Sequence, residues 1–544
     1  MAEIPGGGRG WRAATHGALA AALAVFVLLP LVALAPYAGD GQRALGEGRA
    51  AVNTLVVCGG TLLVAAGCGV PVGWALSRVR LPRVLQAACT LPYAIPPYVT
   101  TIAWITLANP RNGLLLPWLP VDVYTRAGMA WVLGLHLSPF VSLATRDALG
   151  AVDPALEEAA RVSGAGALRT ARDVTLPMVA PALAAAGGFV VAASAASFGV
   201  PYLLGSAARE PVPVLTTRIA QTLELSPVDG RPLAVTLAGL LLLLGAGVPA
   251  LLRLLQRRAT HATARPARPS PPRPMPLAAA GVAVYVTVAV VLPLGTLVAS
   301  SVMDRFGGGL APDNLTLRHW VGVLGDPRNR EALGRSGWLA AAAATVAVGV
   351  GALVAHGAER DGGRAARTLA ALARVGWTVP GTVLALGLLL SFSQEIRLVV
   401  AERVTFTLAL ADTVWFLGIA YVARFLALPV DGSRAALRAI HPSLEEAARV
   451  SGAGWATVLR DVTVPLLAPA LRTAWFLVFV PAFCEVTLSV MLRGPSTEVL
   501  GTRLFTLQSY ADPQAAAVLA VIVGGLVFVG LAVRPPGRAV GGTP

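Results

Sequence analysis

Lysine is absent from this sequence of 544 residues, because all 43 basic residues are arginine. A nucleotide-binding loop of the GxxxxGK[ST] type needs its lysine to reach the β- and γ-phosphates, so the chain does not supply that ATP site itself. Schiff-base chemistry, which requires a lysine amine, is excluded for the same reason. Charged residues make up only 13% of the chain, and a soluble protein of this length would need more polar surface to cover several domains.

Cysteine and histidine are also scarce. The four cysteines, Cys58, Cys68, Cys89 and Cys484, lie inside apolar runs without metal-ligand spacing and are interpreted as packing residues. The six histidines are scattered and form no HExxH pair. The sequence therefore predicts no metal site, no cofactor and no polar catalytic cluster at membrane depth.

Hydrophobic residues, in contrast, make up 56% of the chain and recur in runs of about the 20 residues that a helix needs to cross a bilayer. These runs predict an all-α polytopic membrane protein with about twelve transmembrane helices. The N-terminal run is longer than the apolar core of a secretory signal, so we expect it to be an uncleaved first span. The predicted spans are about 17–37, 54–76, 84–108, 127–144, 179–204, 233–252, 277–301, 336–357, 368–392, 406–428, 467–491 and 513–533.

The net charge of +15 comes from arginines that stand singly between the spans. With both termini in the cytoplasm, the inner segments hold 24 arginines and the outer segments 16. This bias has the sign that the positive-inside rule requires, so we expect cytoplasmic N- and C-termini in the inner membrane. The charge is interpreted as membrane orientation, and no nucleic acid is expected as a partner.

One charged segment occurs twice. LEEAARVSGAG stands at 156–166 and again 288 residues later at 444–454, within a gapless match of 144–183 to 432–471. Such self-similarity indicates an internal duplication. Six predicted spans separate the copies, and because six is even, both copies face the same side of the membrane.

The duplication predicts two homologous halves related by a parallel pseudo-two-fold axis. The first half is 1–255, with its repeated loop at 145–178, and the second is 277–544, with its loop at 430–466. Between them, 256–276 is rich in arginine and proline and poor in apolar residues. We expect this segment to be a cytoplasmic linker.

Each repeated segment is predicted to form a short surface helix. Pro154 and Pro442 suit a first helical turn, and Asp153 could cap the first copy. Gly164 and Gly452 are expected at the left-handed position that ends a helix.

The repeated helix carries a narrow patch of small residues: Leu156, Ala159, Ala160 and Ser163 recur at helical spacing, with the glutamates expected beside them. Helices that rest on lipid usually have bulkier apolar faces, so we favour docking on another protein. Two identical helices facing one side imply two like partners, or one partner with two-fold symmetry.

These segments resemble the EAA loop of ABC importer permeases, the inner-membrane components of binding-protein-dependent transport. The matching letters are EEAARVSGAG…RDVTLPMVAPAL and EEAARVSGAG…RDVTVPLLAPAL. In that family the helix couples the permease to an ATPase subunit. The resemblance therefore implies that the residues that contact the ATPases are Glu157, Glu158, Ala159, Ala160, Gly164, Glu445, Glu446, Ala447, Ala448 and Gly452.

The fused twelve-span form is similar to iron(III)-type permeases and their thiamine, polyamine and phosphonate relatives. The resemblance implies a transport subunit rather than an enzyme, with two ABC ATPase subunits and a periplasmic solute-binding protein as partners. Ferric iron is the favoured solute, and the related solutes stay open. An ion-coupled secondary transporter is an alternative, but it would leave the duplicated helix unexplained. The outer loop 302–335 is a candidate contact for the binding protein.

Few charged residues fall inside the predicted spans, where charges are costly and usually mark a path or a pair. Glu485 could face a translocation path or cap a neighbouring helix, and the repeat places it opposite Ser197. Tyr98 and Pro380 lie in proline-interrupted spans. They are candidates for a flexible gate on the same path, with simple packing as the alternative. We expect Arg424 to snorkel or to pair with inner-loop carboxylates.

Overall fold

The structure is a computed structural model. It describes residues 17–115, 122–257, 272–305, 311–361, 363–393, 396–400, 403–494, 497–509 and 512–532. Most of the predicted linker 256–276 and both chain termini therefore lie outside the described residues. The C-terminal part of the linker is described from residue 272. It is hydrogen-bonded to the first half, because the backbone N–H of Arg273 donates to the carbonyl of Arg78 over 2.9 Å.

Helices dominate the described residues. In the first half of the chain they are α1 (Gly17–Tyr37), α2 (Gly41–Gly46), α3 (Gly48–Arg78), α4 (Arg83–Ala88), α5 (Leu91–Ala94), α6 (Pro97–Ala108), α7 (Arg126–Ala151), α8 (Pro154–Val162), α9 (Ala167–Ala195), α10 (Gly199–Gly205), α11 (Leu215–Leu225) and α12 (Arg231–Arg257).

The second half of the chain contains a comparable series and one strand pair. Its elements are α13 (Pro276–Ser301), α14 (Arg318–Gly325), α15 (Pro327–Arg360), α16 (Arg364–Thr378), α17 (Gly381–Phe392), β1 (Ile396–Val400), β2 (Arg403–Leu408), α18 (Val414–Phe425), α19 (Ala427–Ala439), α20 (Ser443–Val450), α21 (Trp455–Phe483), α22 (Thr487–Met491), α23 (Leu500–Ser509) and α24 (Pro513–Ala532).

Eight of the described helices are long and apolar enough to cross a membrane, or up to ten if each bent pair counts as one span. The prediction of an all-α polytopic membrane protein is confirmed. One local exception is the antiparallel pair β1–β2, in which Ile396 is opposite Leu408 and Val400 opposite Arg403. The prediction of a span starting at 406 is therefore wrong at its outer end, because this β-branched segment pairs as strands instead.

Several predicted spans are broken rather than continuous. The run 84–108 forms α4, α5 and α6, with Pro96 standing before α6. The run 368–392 bends by 107° between α16 and α17, where Pro380 precedes α17. Proline lacks the N–H that a continuous helix needs, so it ends the helix and lets the chain turn.

The described residues divide into two compact units: those of 17–38, 326–506 and 525–532, and those of 39–325 and 507–524. These units differ from the halves 1–255 and 277–544 of the duplication. In the first unit, α1 packs on α17, and the ring centroids of Phe26 and Phe392 lie 6.1 Å apart. In the second, α13 joins α7, and the hydroxyls of Tyr285 and Ser138 lie 2.7 Å apart. The first span of each half thus packs on helices that belong to the other half of the sequence.

Close packing of α3 against α7 forms the centre of the second unit. A Cβ atom at Gly69 would lie 2.7 Å from the carbonyl oxygen of Ser138, and one at Gly73 would overlap the backbone of Ser142. The two glycines are four residues apart, on one face of α3. Small residues at this spacing let two membrane helices approach closely.

We predict that Gly73→Val destabilises the second unit, because an added side chain there must push α7 away. Overpacking of this kind costs about 1–3 kcal/mol or more. The melting temperature of the detergent-purified chain measures the effect. Gly59→Val is the matched control, since nothing lies within 4 Å of a Cβ at that position of the same helix. Equal melting temperatures for the two variants would contradict the close approach.

Candidate functional site

The two repeated segments form the short helices α8 and α20. At the start of α8 the N–H of Ala155 donates to the Asp153 carboxylate over 3.0 Å, as expected for a cap. Helix α20 begins one residue later than Pro442 predicts, at Ser443. Its N-cap is Pro442, and Nδ1 of His441, one residue earlier, accepts from the N–H of Ser443 over 3.2 Å.

Both helices end in the same way. Gly164 has φ +84° and Gly452 has φ +89°, the left-handed region that favours glycine. The next N–H, from Ala165, donates to the carbonyl of Ala160 over 3.0 Å. Because Ala453 does the same to Ala448 over 3.0 Å, the two helices share one type of glycine-dependent ending.

In the first copy, Glu157 faces the body of its own unit. Its carboxylate accepts from the Arg78 guanidinium at the end of α3 over 3.1 Å and from the Thr175 hydroxyl over 3.0 Å. Arg161, one turn further along α8, lies 3.6 Å away. Since the Glu157 side chain is 12% exposed, α8 is tied to α3 and α9 through a largely buried carboxylate.

In the second copy, Glu445 has the same role with more partners. Arg360 at the end of α15 donates to it over 3.0 Å, and His356 Nε2 lies 3.2 Å away. Arg449 and the Thr463 hydroxyl each approach within 3.2 Å. Burial opposes ionisation of Glu445, but the hydrogen bonds and charges of Arg360 and His356 outweigh it and hold the pKa of the carboxyl below its usual value.

The neighbouring glutamates, Glu158 and Glu446, are exposed, as are Ala159 and Ala447. Ala160 and Ala448 are half-buried. The expectation that both glutamates of each copy flank the outer patch is therefore wrong for Glu157 and Glu445, which face inward. In a helix, adjacent residues point about 100° apart, so only one of the pair reaches the outer surface.

The solvent-exposed face of each helix also contains a valine that the sequence analysis did not identify. Val162 and Val450 are the equivalent last residues of α8 and α20, and they are 89% and 88% exposed. Leu156 and Leu444 are about half exposed on the same helices. Their recurrence in both copies of the eleven-residue repeat was the available signal.

The charged residues inside the membrane have local partners. Glu485 follows α21, and its Oε1 accepts from the N–H of Leu488 over 2.9 Å, which caps the short helix α22. Of the two roles predicted for Glu485, this hydrogen bond is the helix cap, and the capped helix is the next one along the chain. Its role in a translocation path stays a prediction.

Arg424 has backbone carbonyls at a helix break as partners, which neither predicted alternative named. Its Nη1 donates to the carbonyls of Gly376, over 3.1 Å, and Val379, and its guanidinium carbon lies 5.7 Å from the ring centre of Trp377. The 107° bend between α16 and α17 leaves those carbonyls without helical partners, and the guanidinium satisfies them.

The segments that contain the four path candidates approach each other in pairs, one pair in each unit. A Cβ on Gly199, two residues after Ser197, would lie 3.5 Å from the Cβ of Tyr98. A Cβ on Gly381, next to Pro380, would lie 3.3 Å from Thr487, two residues after Glu485. In the second unit, the start of α6 after Pro96 therefore lies beside the break that follows α9. In the first unit, the start of α17 after Pro380 lies beside the break that follows α21.

A helical membrane protein with a duplicated, anchored surface helix has the architecture of a transport permease that works with separate ATPase subunits. The chain belongs to the family described as binding-protein-dependent transport system inner membrane component, which it matches over residues 65–261 and again over 347–534. This confirms the resemblance and the fused, two-half form. Members of this family are multi-pass inner-membrane transport subunits rather than enzymes, with ATPase and solute-binding-protein partners.

Known proteins similar to this chain differ in the solute that their names give. It is 27% identical to an ABC transporter permease protein of Sinorhizobium fredii over 89% of this chain and 86% of that protein. It is 24% identical to a protein of Haemophilus influenzae named as a ferric transport system permease, over 83% and 71% of the two chains. It is 30% identical to one of Haloferax volcanii named as a molybdenum ABC transporter permease, over 42% and 86%.

We predict that Glu445→Gln destabilises the purified chain, because it leaves the largely buried Arg360 beside a neutral amide. Breaking such a buried pair costs on the order of 3–5 kcal/mol. Because the folded pKa of Glu445 is depressed, its stabilisation is present above the ordinary value of about 4.3 and is lost as pH falls through the folded pKa. Melting temperatures should therefore differ from wild type at neutral pH and converge in acid.

Glu446→Gln is the matched control for this measurement. It makes the same chemical change one residue further along α20, at an exposed position, where substitutions usually shift stability by no more than about 0.5 kcal/mol. If the Glu445 and Glu446 variants melt alike at neutral pH, the anchoring role of Glu445 is refuted.

Proposed function

We propose that the chain is the fused, two-half membrane permease of an ABC importer, and that α8 and α20 each dock on one of two ATPase subunits. The observation that supports this most directly is the two-sided construction of both helices. One glutamate of each helix is tied to the end of a long helix of its own unit, while the opposite side is exposed and carries alanine, valine and the second glutamate.

This construction suits the transmission of force. A load applied to the exposed face of α20 reaches α15 through the ion pair between Glu445 and Arg360, and a load on α8 reaches α3 through Glu157 and Arg78. An ATPase that moves on binding and hydrolysing ATP would therefore displace whole helices rather than a loose loop. We infer alternating access driven by this displacement.

Ferric iron is the solute we favour. Support comes from the relative named for ferric transport, because the similarity to it extends over 83% of this chain and so includes both halves. The relative named for molybdenum is similar over 42% of this chain. Thiamine, polyamine and phosphonate stay as alternatives. We propose that a periplasmic binding protein selects the solute and contacts the outer loop 302–335.

The docking role predicts that the double variant Glu158→Arg with Glu446→Arg loses ATPase binding and transport while still inserting into the membrane. Both glutamates are exposed, so the reversal of charge acts on the partner surface rather than on folding. The measurements are co-purification of the ATPase subunits and ATP-dependent uptake of radioactive iron into proteoliposomes with the binding protein present. Uptake driven by an ion gradient without ATPase subunits would favour the secondary-transporter alternative instead.

The matched control is Glu224→Arg with Glu331→Arg. These two glutamates are also exposed, one in each half, and lie in segments predicted to be outside the cell. This control makes the same change in net charge and should leave ATPase co-purification intact. Docking through α8 and α20 is wrong if the Glu158 and Glu446 double variant retains its ATPase subunits.

The proposed orientation, with both termini and both coupling helices in the cytoplasm, has its own test. Cysteine at position 158 or 446 should react with a membrane-impermeant maleimide in inverted vesicles but not in intact spheroplasts. The native cysteines are buried or half-buried, which keeps the background low. Glu224→Cys should give the opposite pattern, and the same sidedness for all three cysteines would contradict the orientation.

A further inference from the structure

An apolar cleft of about 640 Å³ lies beside the first coupling helix, within the unit 39–325. Trp74 of α3, Leu149 of α7, and Val179 and Leu183 of α9 line it. Leu149 and Val179 are buried, whereas Trp74 is 38% exposed, so the cleft opens to its surroundings. Its lining is mostly apolar, which suits a hydrocarbon chain.

Two arginines stand at the edge of this cleft. Arg169 and Arg172 line it from the first turns of α9, and their side chains are 76% and 77% exposed. Asp173 lies 3.5 Å from the first and 2.8 Å from the second. The three side chains together keep one net positive charge, at the end of α9 that the proposed orientation places at the cytoplasmic surface.

We propose that this cleft binds one anionic phospholipid of the cytoplasmic leaflet. Its phosphate would lie at Arg169 and Arg172, and one acyl chain would enter the cleft between Trp74 and Val179. Arginine pairs strongly with phosphate, and basic pockets at the cytoplasmic ends of membrane helices suit acidic headgroups. Only the choice of leaflet rests on the proposed function.

The second copy of the repeat lacks this combination. In the gapless match, Thr457 stands where the first copy has Arg169, and Trp455 stands where it has Ala167. The centre of the Trp455 ring lies 6.4 Å from that of His356, near the end of α15. An aromatic side chain therefore occupies the space beside α15. The lipid site is therefore assigned to the first copy alone.

This difference between the copies supplies a matched pair of reporters. Leu176 lines the cleft and is 50% exposed, and its equivalent in the second copy is Val464, which is 40% exposed. A tryptophan in place of either residue adds to the ten native tryptophans that a Trp74→Phe parent retains. Its quenching by brominated lipid is therefore read as the difference between each variant and that parent. The full chain in detergent micelles is titrated with brominated phosphatidylglycerol or brominated phosphatidylcholine.

We expect Leu176→Trp to be quenched at a several-fold lower mole fraction of phosphatidylglycerol than of phosphatidylcholine, and Val464→Trp to be quenched equally by both. Adding Arg169→Gln, Arg172→Gln and Asp173→Asn together should remove the preference without leaving an unpaired carboxylate. Arg460→Gln, the equivalent of the Arg172 change in the second copy, should leave it intact. Elution as a single species in size-exclusion chromatography shows that each variant is folded.

Equal quenching of Leu176→Trp by both lipids would overturn the proposal, because it would indicate ordinary surrounding lipid. Loss of the preference on adding millimolar inorganic phosphate would also overturn it, since the site would then recognise free phosphate. The assay uses neither ATPase subunits nor transport. A negative result in the quenching assay therefore does not bear on the proposal that α8 and α20 dock on ATPase subunits. In turn, retained ATPase binding in the Glu158 and Glu446 double variant would not bear on the lipid site.

Discussion

The ion pair between an inward glutamate and an arginine at the end of a long helix decides what the repeated surface helices α8 and α20 can do. A nine-residue helix such as α8 is too short to be stable alone in water and takes its position from tertiary contacts. Glu157 with Arg78, and Glu445 with Arg360, provide those contacts at 3.1 and 3.0 Å. Without them, a partner pulling on α8 or α20 would move a loop and leave the membrane helices where they were.

The two copies share this construction but differ in strength. Glu445 is almost fully buried and has His356 and Arg449 as further partners, whereas Glu157 is partly exposed with Arg161 at 3.6 Å. The gene duplication thus preserved the geometry of the anchor while the partners at the long helix changed. The same divergence left an open apolar cleft beside α8 and placed Trp455 against His356 beside α20.

Charged side chains also stabilise the breaks in the membrane helices, through hydrogen bonds to the backbone. Arg424 satisfies carbonyls at the bend between α16 and α17, and Glu485 caps α22. Each side chain hydrogen-bonds to a backbone group that would have found its partner within the helix if the helix were continuous. In hydrocarbon an unsatisfied backbone group is costly, so proline-induced breaks and nearby charged side chains belong together.

The sequence by itself determined the class of protein: the apolar runs, the repeated segment and the glycines at 164 and 452 predict the membrane helices, the duplication and the helix ends. These features depend on local periodicity and backbone conformation, which neighbouring residues specify. Only the tertiary structure decided that Glu157 faces inward while Glu158 faces out, and that α1 packs on α17. Those outcomes depend on which distant helix supplies an arginine or a close-packed face, and no local pattern contains that information.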